Sequence, residues 1–149
     1  MLMLTGTIIV KFGKMLCTRE GIGNWQTARE PFTVAIQLSD GRMLTDNGAC
    51  AIPETKVNGI PPYQEVEACV GSGGLSDGGT ILFKIPNEPV MWGLAEEVPV
   101  SGSVQLSTGE VFEISGKLPS AKTTWHGIVN GKVTFEAEAV IFAGTLTQK

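Results

Sequence analysis

Residue types that announce a chemistry are scarce in this chain of 149 residues: it has one histidine, one tyrosine and three cysteines. Cys17, Cys50 and Cys69 are an odd number and show no Cys-x-x-Cys spacing. That points away from a disulfide framework or a zinc site, and toward thiols acting as small buried hydrophobes in a reduced, cytoplasmic setting. Charge is also sparse, at 17% against a typical share of about 25%. The 11 basic and 15 acidic residues give −4 with no run of either sign, so the basic stripe of a nucleic-acid binder is missing. No apolar run approaches the length that spans a bilayer. The first residues lack the basic region and small-residue cleavage pattern of a leader and read as a strand. A membrane partner is therefore not expected.

Apolar residues make up 42% of the chain, more than a domain of this size needs inside. Large exposed apolar patches are uncommon on soluble monomers, so the excess predicts a subunit interface or a lined cavity, the interface being preferred.

The pattern is that of strands. Residues 4–12 and 32–38 are rich in β-branched and alternating apolar residues. Ser39-Asp40-Gly41 predicts a tight turn that pairs Leu38 with Arg42, Ile36 with Leu44 and Val34 with Asp46. This register puts Phe32, Val34, Ile36, Leu38 and Leu44 on one face. Trp25-Gln-Thr-Ala-Arg-Glu30 has the length for one helical turn. Asn130-Gly131 is the strongest two-residue turn signal and joins residues 123–129 to 132–143. Five glycines between Gly71 and Gly79 read as a flexible joint. A phosphate-binding loop would need a following helix, and here a strand follows without Gly-Lys-Ser/Thr. No cofactor is expected.

The chain repeats itself. Gly6-Thr-Ile-Ile-Val-Lys-Phe12 returns as Gly79-Thr-Ile-Leu-Phe-Lys-Ile85, and residues 31–48 match 99–116 at six of eighteen positions, where chance gives about one. Trp25-x-x-Ala-x-Glu30 matches Trp92-x-x-Ala-x-Glu97. These matches predict one domain, 1–149, made of two repeats, 4–74 and 77–149, joined by the glycine-rich segment 71–79. The expected fold is all-β, an internally duplicated pseudo-twofold barrel or sandwich of about ten strands.

Candidate chemistry centres on His126, which stands where the first repeat has Asn58. Continuing the Asn130-Gly131 register pairs His126 with Phe135 and sets the ring on an apolar face with Val133, Ala137 and Ala139. There it reads as a hydrogen-bonded core residue, or as a general base or ligand group in a cavity. The other face carries Trp125, Thr134, Glu136 and Glu138, with Glu65 and Glu67 as their counterparts. A twofold could gather these carboxylates to hold a cation or one acid of raised pKa, or they are a solvated sheet face. No metal site is assigned. The last strand is apolar on both faces through Val140 and Phe142. That predicts a central strand or a homodimer through those residues.

Two functions follow as expectations. The first is a non-enzymatic, homo-oligomeric β module that binds a small molecule or another protein, through His126, Trp125, Glu136, Glu138, Glu65 and Glu67. The alternative is a small cavity enzyme, a hydrolase, lyase or isomerase, using His126 with Glu136 or a nearby Glu. The first is preferred, since no nucleophile is spaced to work with the histidine.

Overall fold

The computed structural model describes residues 3–20, 25–51, 55–57, 69–85, 97–119 and 123–149. Among them the chain is all-β, with thirteen strands. In order these are β1 (Thr5–Phe12), β2 (Met15–Arg19), β3 (Trp25–Arg29), β4 (Thr33–Leu38), β5 (Met43–Thr45), β6 (Thr55–Val57) and β7 (Cys69–Gly74). There follow β8 (Thr80–Ile85), β9 (Glu97–Gln105), β10 (Val111–Pro119), β11 (Thr123–Val129), β12 (Lys132–Ala137) and β13 (Val140–Gln148). The segment read as a helical turn is strand β3, paired to β2 from Met15↔Arg29 to Thr18↔Gln26. Sheet pairing overrides so short a helical pattern.

Eight strands form a curled, half-barrel sheet in the order β5-β4-β1-β13-β10-β9-β8-β7. Its two edges meet. Asp46 bridges Leu75 and Ala51 bridges Ser72, and Ser76 N–H donates to Thr45 O at 2.7 Å. The inner face is packed by strict alternation: Ile8, Val10 and Phe12 from β1, Val34, Ile36 and Leu38 from β4, and Ile81 and Phe83 from β8 are all buried. Five phenylalanines, Phe12, Phe32, Phe83, Phe112 and Phe142, fill this interior. Phe83 lies 5.9 Å from Phe12, 5.3 Å from Phe32 and 6.4 Å from Phe142, ring centre to ring centre. Tilted and edge-on contacts of this kind add about 0.5–1.5 kcal/mol each beyond the area they bury.

The expected register of the Ser39-Asp40-Gly41 turn is present. Leu38 N–H donates to Arg42 O, Ile36 pairs with Leu44, and Gly41 has φ +97°. The same turn occurs twice more, at Leu75-Ser-Asp-Gly78 and Leu106-Ser-Thr-Gly109. Each time the leucine N–H donates four residues on and the glycine N–H donates back to the leucine carbonyl. Leu4 and Gln148 exchange hydrogen bonds where a fourth such turn would lie.

Gly6 and Ile8 pair with Leu38 and Ile36, and Ile81 pairs with Val104. A side chain at Gly6 would come 2.6 Å from Gln37 O, and one at Gly79 would strike Gln105 O. The echoed strands therefore open on glycine because a neighbouring backbone passes there. The glycine-rich segment 71–79 is not a flexible joint. Its first four residues are strand β7, paired to β8 from Cys69↔Ile85 to Gly74↔Thr80. A Cβ on Gly73 would meet Cys50, so close approach accounts for that glycine.

The last segment is not one strand. Lys132–Ala137 and Val140–Gln148 belong to different sheets, separated at Glu138-Ala139. β13 is central, between β1 and β10, as its apolar character predicts. Phe142, however, points into the core and is fully buried, and Val140 packs against that core. The alternating strand presents Ile141 and Ala143 outward instead.

A second, five-stranded sheet has the order β11-β12-β2-β3-β6. It is joined to the first through residues 13–14 and 138–139. Among the described residues no helix is long and apolar enough to cross a membrane.

Candidate functional site

The Asn130-Gly131 turn forms as expected, with φ of +51° and +79°, and pairs Ile128 with Val133. The register then changes. Gly127 pairs with Thr134 but Trp125 with Phe135, so His126 is one residue too many on β11. Gly127, at φ +73°, takes the left-handed backbone this bulge requires.

That one residue redistributes the candidates. His126 does not sit opposite Phe135 among apolar neighbours. Its side chain is 42% exposed and its Nε2 lies 3.3 Å from Glu136 Oε2. Trp125 moves the other way. Thr124 pairs with Glu136, so Trp125, next along the strand, is on the face opposite Glu136. The expected grouping of Trp125 with Glu136 does not form.

Glu136 is the centre of the cluster. Its Oε2 faces His126 and its Oε1 lies 3.4 Å from Lys14 Nζ. Lys14 is placed by the step between β1 and β2, where its carbonyl accepts from Glu30 N–H at 3.0 Å. The His126 hydrogen bond, and after it that of Lys14, hold the Glu136 carboxyl below its ordinary value. The expectation of an acid with raised pKa is therefore overturned at Glu136, because two donors favour the ionised form.

Around this cluster lies an open groove of about 400 Å³, lined by Lys14, Thr124, His126, Glu136, Glu138 and Ala139. It sits where both sheets exchange their chain. Glu138 is exposed in the break between β12 and β13. Glu65 and Glu67, the other two expected carboxylates, lie outside the described residues, as do Asn58 and Trp92. Among the described residues no three His, Cys, Asp or Glu side chains gather to hold a metal. Cys50 is buried, its thiol pushed up by burial and secondarily by Asp46.

Reading the sequence missed Lys14 and Thr124, which reach the groove only through strand pairing. The bulge did have a signal, the glycine directly after His126 inside a strand. Comparison with protein-family models, curated proteins and solved structures finds no match for this chain.

Proposed function

We propose that the protein is a non-enzymatic, homo-oligomeric binding module of the cytoplasm, whose ligand site is the groove at Lys14, Thr124, His126, Glu136 and Glu138. One observation supports this reading: among the described residues five buried phenylalanines pack the half-barrel interior, whereas the groove is open and brings charged, hydroxyl and imidazole side chains together. Ordinary ligand sites are clefts of roughly 300–1,000 Å³ with a few convergent polar groups, and the groove is in that range. Its groups suit a small ligand bearing hydroxyls and an amine. Glu138 offers a carboxylate, Thr124 a hydroxyl, and His126 a ring nitrogen. Shift mapping by NMR with a panel of small hydroxylated amines tests this. The expected result is a cluster of perturbed amides at Lys14, Thr124, His126, Glu136 and Glu138. Perturbations confined to other surfaces would sink it.

The alternative, a small hydrolase, lyase or isomerase, is favoured by the 3.3 Å contact between His126 and Glu136, the arrangement of a base and its orienting group. Turnover of a chromogenic ester or glycoside that disappears in His126→Ala would favour it over simple binding.

We further propose that the chain is an internal duplication wound into a pseudo-twofold barrel. In support, Ile36↔Leu44 has its counterpart in Val104↔Phe112, Ile8↔Ile36 in Ile81↔Val104, and Asp46↔Leu75 in Ile114↔Leu146. The end of each unit pairs with the start of the other, β7 with β8 and β13 with β1.

A further inference from the structure

The dipeptide Asn-Gly occurs three times in this chain, at 47–48, 58–59 and 130–131. Residues 58–59 lie outside the described residues. The other two pairs share a left-handed glycine, with φ +89° at Gly48 and +79° at Gly131, but their hydrogen bonds differ. At 47–48 the side-chain amide and the glycine nitrogen are both held. Asn47 Oδ1 accepts from Ala49 N–H at 3.0 Å, and Gly48 N–H donates to Asp46 Oδ2 at 2.9 Å. Asn47 N–H is also fixed, donating to Gly74 O at 3.0 Å. At 130–131 the ladder ends with Val129↔Lys132. Among the described residues, neither the Asn130 side chain nor the Gly131 N–H has a hydrogen-bond partner. Both residues are exposed.

We propose that Asn130 is a site of spontaneous backbone modification, ageing to aspartate and isoaspartate well before Asn47 does. The attacking atom is the Gly131 nitrogen, which glycine leaves unshielded because it has no Cβ. That nitrogen bonds to Asn130 Cγ and loses its proton, the Cγ–Nδ2 bond breaks, and ammonia leaves with that proton. Water then opens the cyclic imide at either of its carbonyls. One opening gives aspartate, and the other gives isoaspartate, whose main chain runs on through Cγ. Local opening of an exposed hairpin tip supplies the geometry for attack. Asn47 has first to give up its bond from Ala49, and Gly48 its bond to Asp46. Isoaspartate lengthens the turn by a methylene, and the register of a hairpin follows from the length and type of its turn. The change therefore loosens the β11–β12 pairing that sets His126 beside Glu136. Loss of a ligand there rests on the groove reading above. The modification itself does not.

Peptide mapping by mass spectrometry tests this on the full-length chain, aged at mildly alkaline pH both folded and in urea. In the folded chain Asn130 should convert about tenfold or more faster than Asn47, because two ordinary hydrogen bonds must break first at 47–48. In urea the two should convert alike, since each is followed by glycine. Equal rates in the folded chain, or the same gap in urea, would overturn the proposal. In the separated isoaspartyl form the nuclear Overhauser contact between His126 and Glu136 should be lost. Its survival there would overturn the effect on the groove alone. Its absence from the unaged chain would remove the groove and leave the modification standing.

Discussion

Arg42 grips Glu110 with both prongs of its guanidinium, Nη1 to Oε1 at 2.9 Å and Nη2 to Oε2 at 3.1 Å. Each residue directly follows the left-handed glycine of its own Leu-Ser-x-Gly turn. The pair therefore ties two turns of the half-barrel together. Arg42 also reaches Asp40 at 2.8 Å, and Thr108 donates to Glu110. The arginine, then the threonine, hold the Glu110 carboxyl below its ordinary value. A carboxylate depressed in the folded state adds stability above its unfolded pKa and loses it as pH falls through the lower folded value. Both partners are partly exposed, so solvent screens the pair and the effect is small. Arg42→Ala should lower the melting temperature at pH 7 by about 1–3 °C, with the difference fading below about pH 4. The exchange Arg42→Glu with Glu110→Arg should recover most of it.

Phe83 touches three other rings and is fully buried. Phe83→Ala should cost about 3–5 kcal/mol in urea unfolding, the usual range for a buried aromatic cut to alanine. A loss below about 1 kcal/mol would mean that the interior is not packed as described.

Gly102 lies against β8. An added Cβ there would strike Leu82 O and come 3.0 Å from Phe83 Cα, both backbone. Gly102→Ala should destabilise by about 1–3 kcal/mol, as overpacking does, because a backbone cannot rotate aside. Gly131→Ala has open space around it and fails for a different reason, its positive φ.

Much of the first sheet is legible in the sequence because its turns are local. Ser39-Asp40-Gly41 fixes a register over four residues on each side, and alternation then decides which side chains enter the core. The third copy, Leu75-Ser76-Asp77-Gly78, was equally local but hidden among neighbouring glycines. Those glycines read as slack, but Gly73, Gly74 and Gly79 are close approaches to Cys50, Asn47 and Gln105, and Gly78 takes a positive φ. At the site the limits are physical. A single bulge at His126 reverses the faces of everything before it in β11, and periodicity cannot place a bulge without its tertiary partner. Phe142 and Ile141 differ by one residue and by the whole thickness of the sheet, which a run of apolar residues leaves undecided.

Glu136 gives the groove a readable proton. Held down first by His126 and then by Lys14, it should titrate below its ordinary 4.5. Its small contribution to stability is then present at neutral pH and lost in acid. In His126→Ala the carbon-detected NMR midpoint of Glu136 should rise toward 4.5, and in Lys14→Ala it should rise less. Equal midpoints in wild type and His126→Ala would show that the two side chains do not meet.

Everything proposed for the groove depends on His126 being the extra residue of a bulge. Nuclear Overhauser contacts across β11 and β12 measure this directly. The expected pattern is Trp125 opposite Phe135 and Gly127 opposite Thr134, with the His126 ring close to the Glu136 side chain. Contacts pairing His126 with Phe135, and a histidine ring beside Val133, would place His126 on the other face and remove the site.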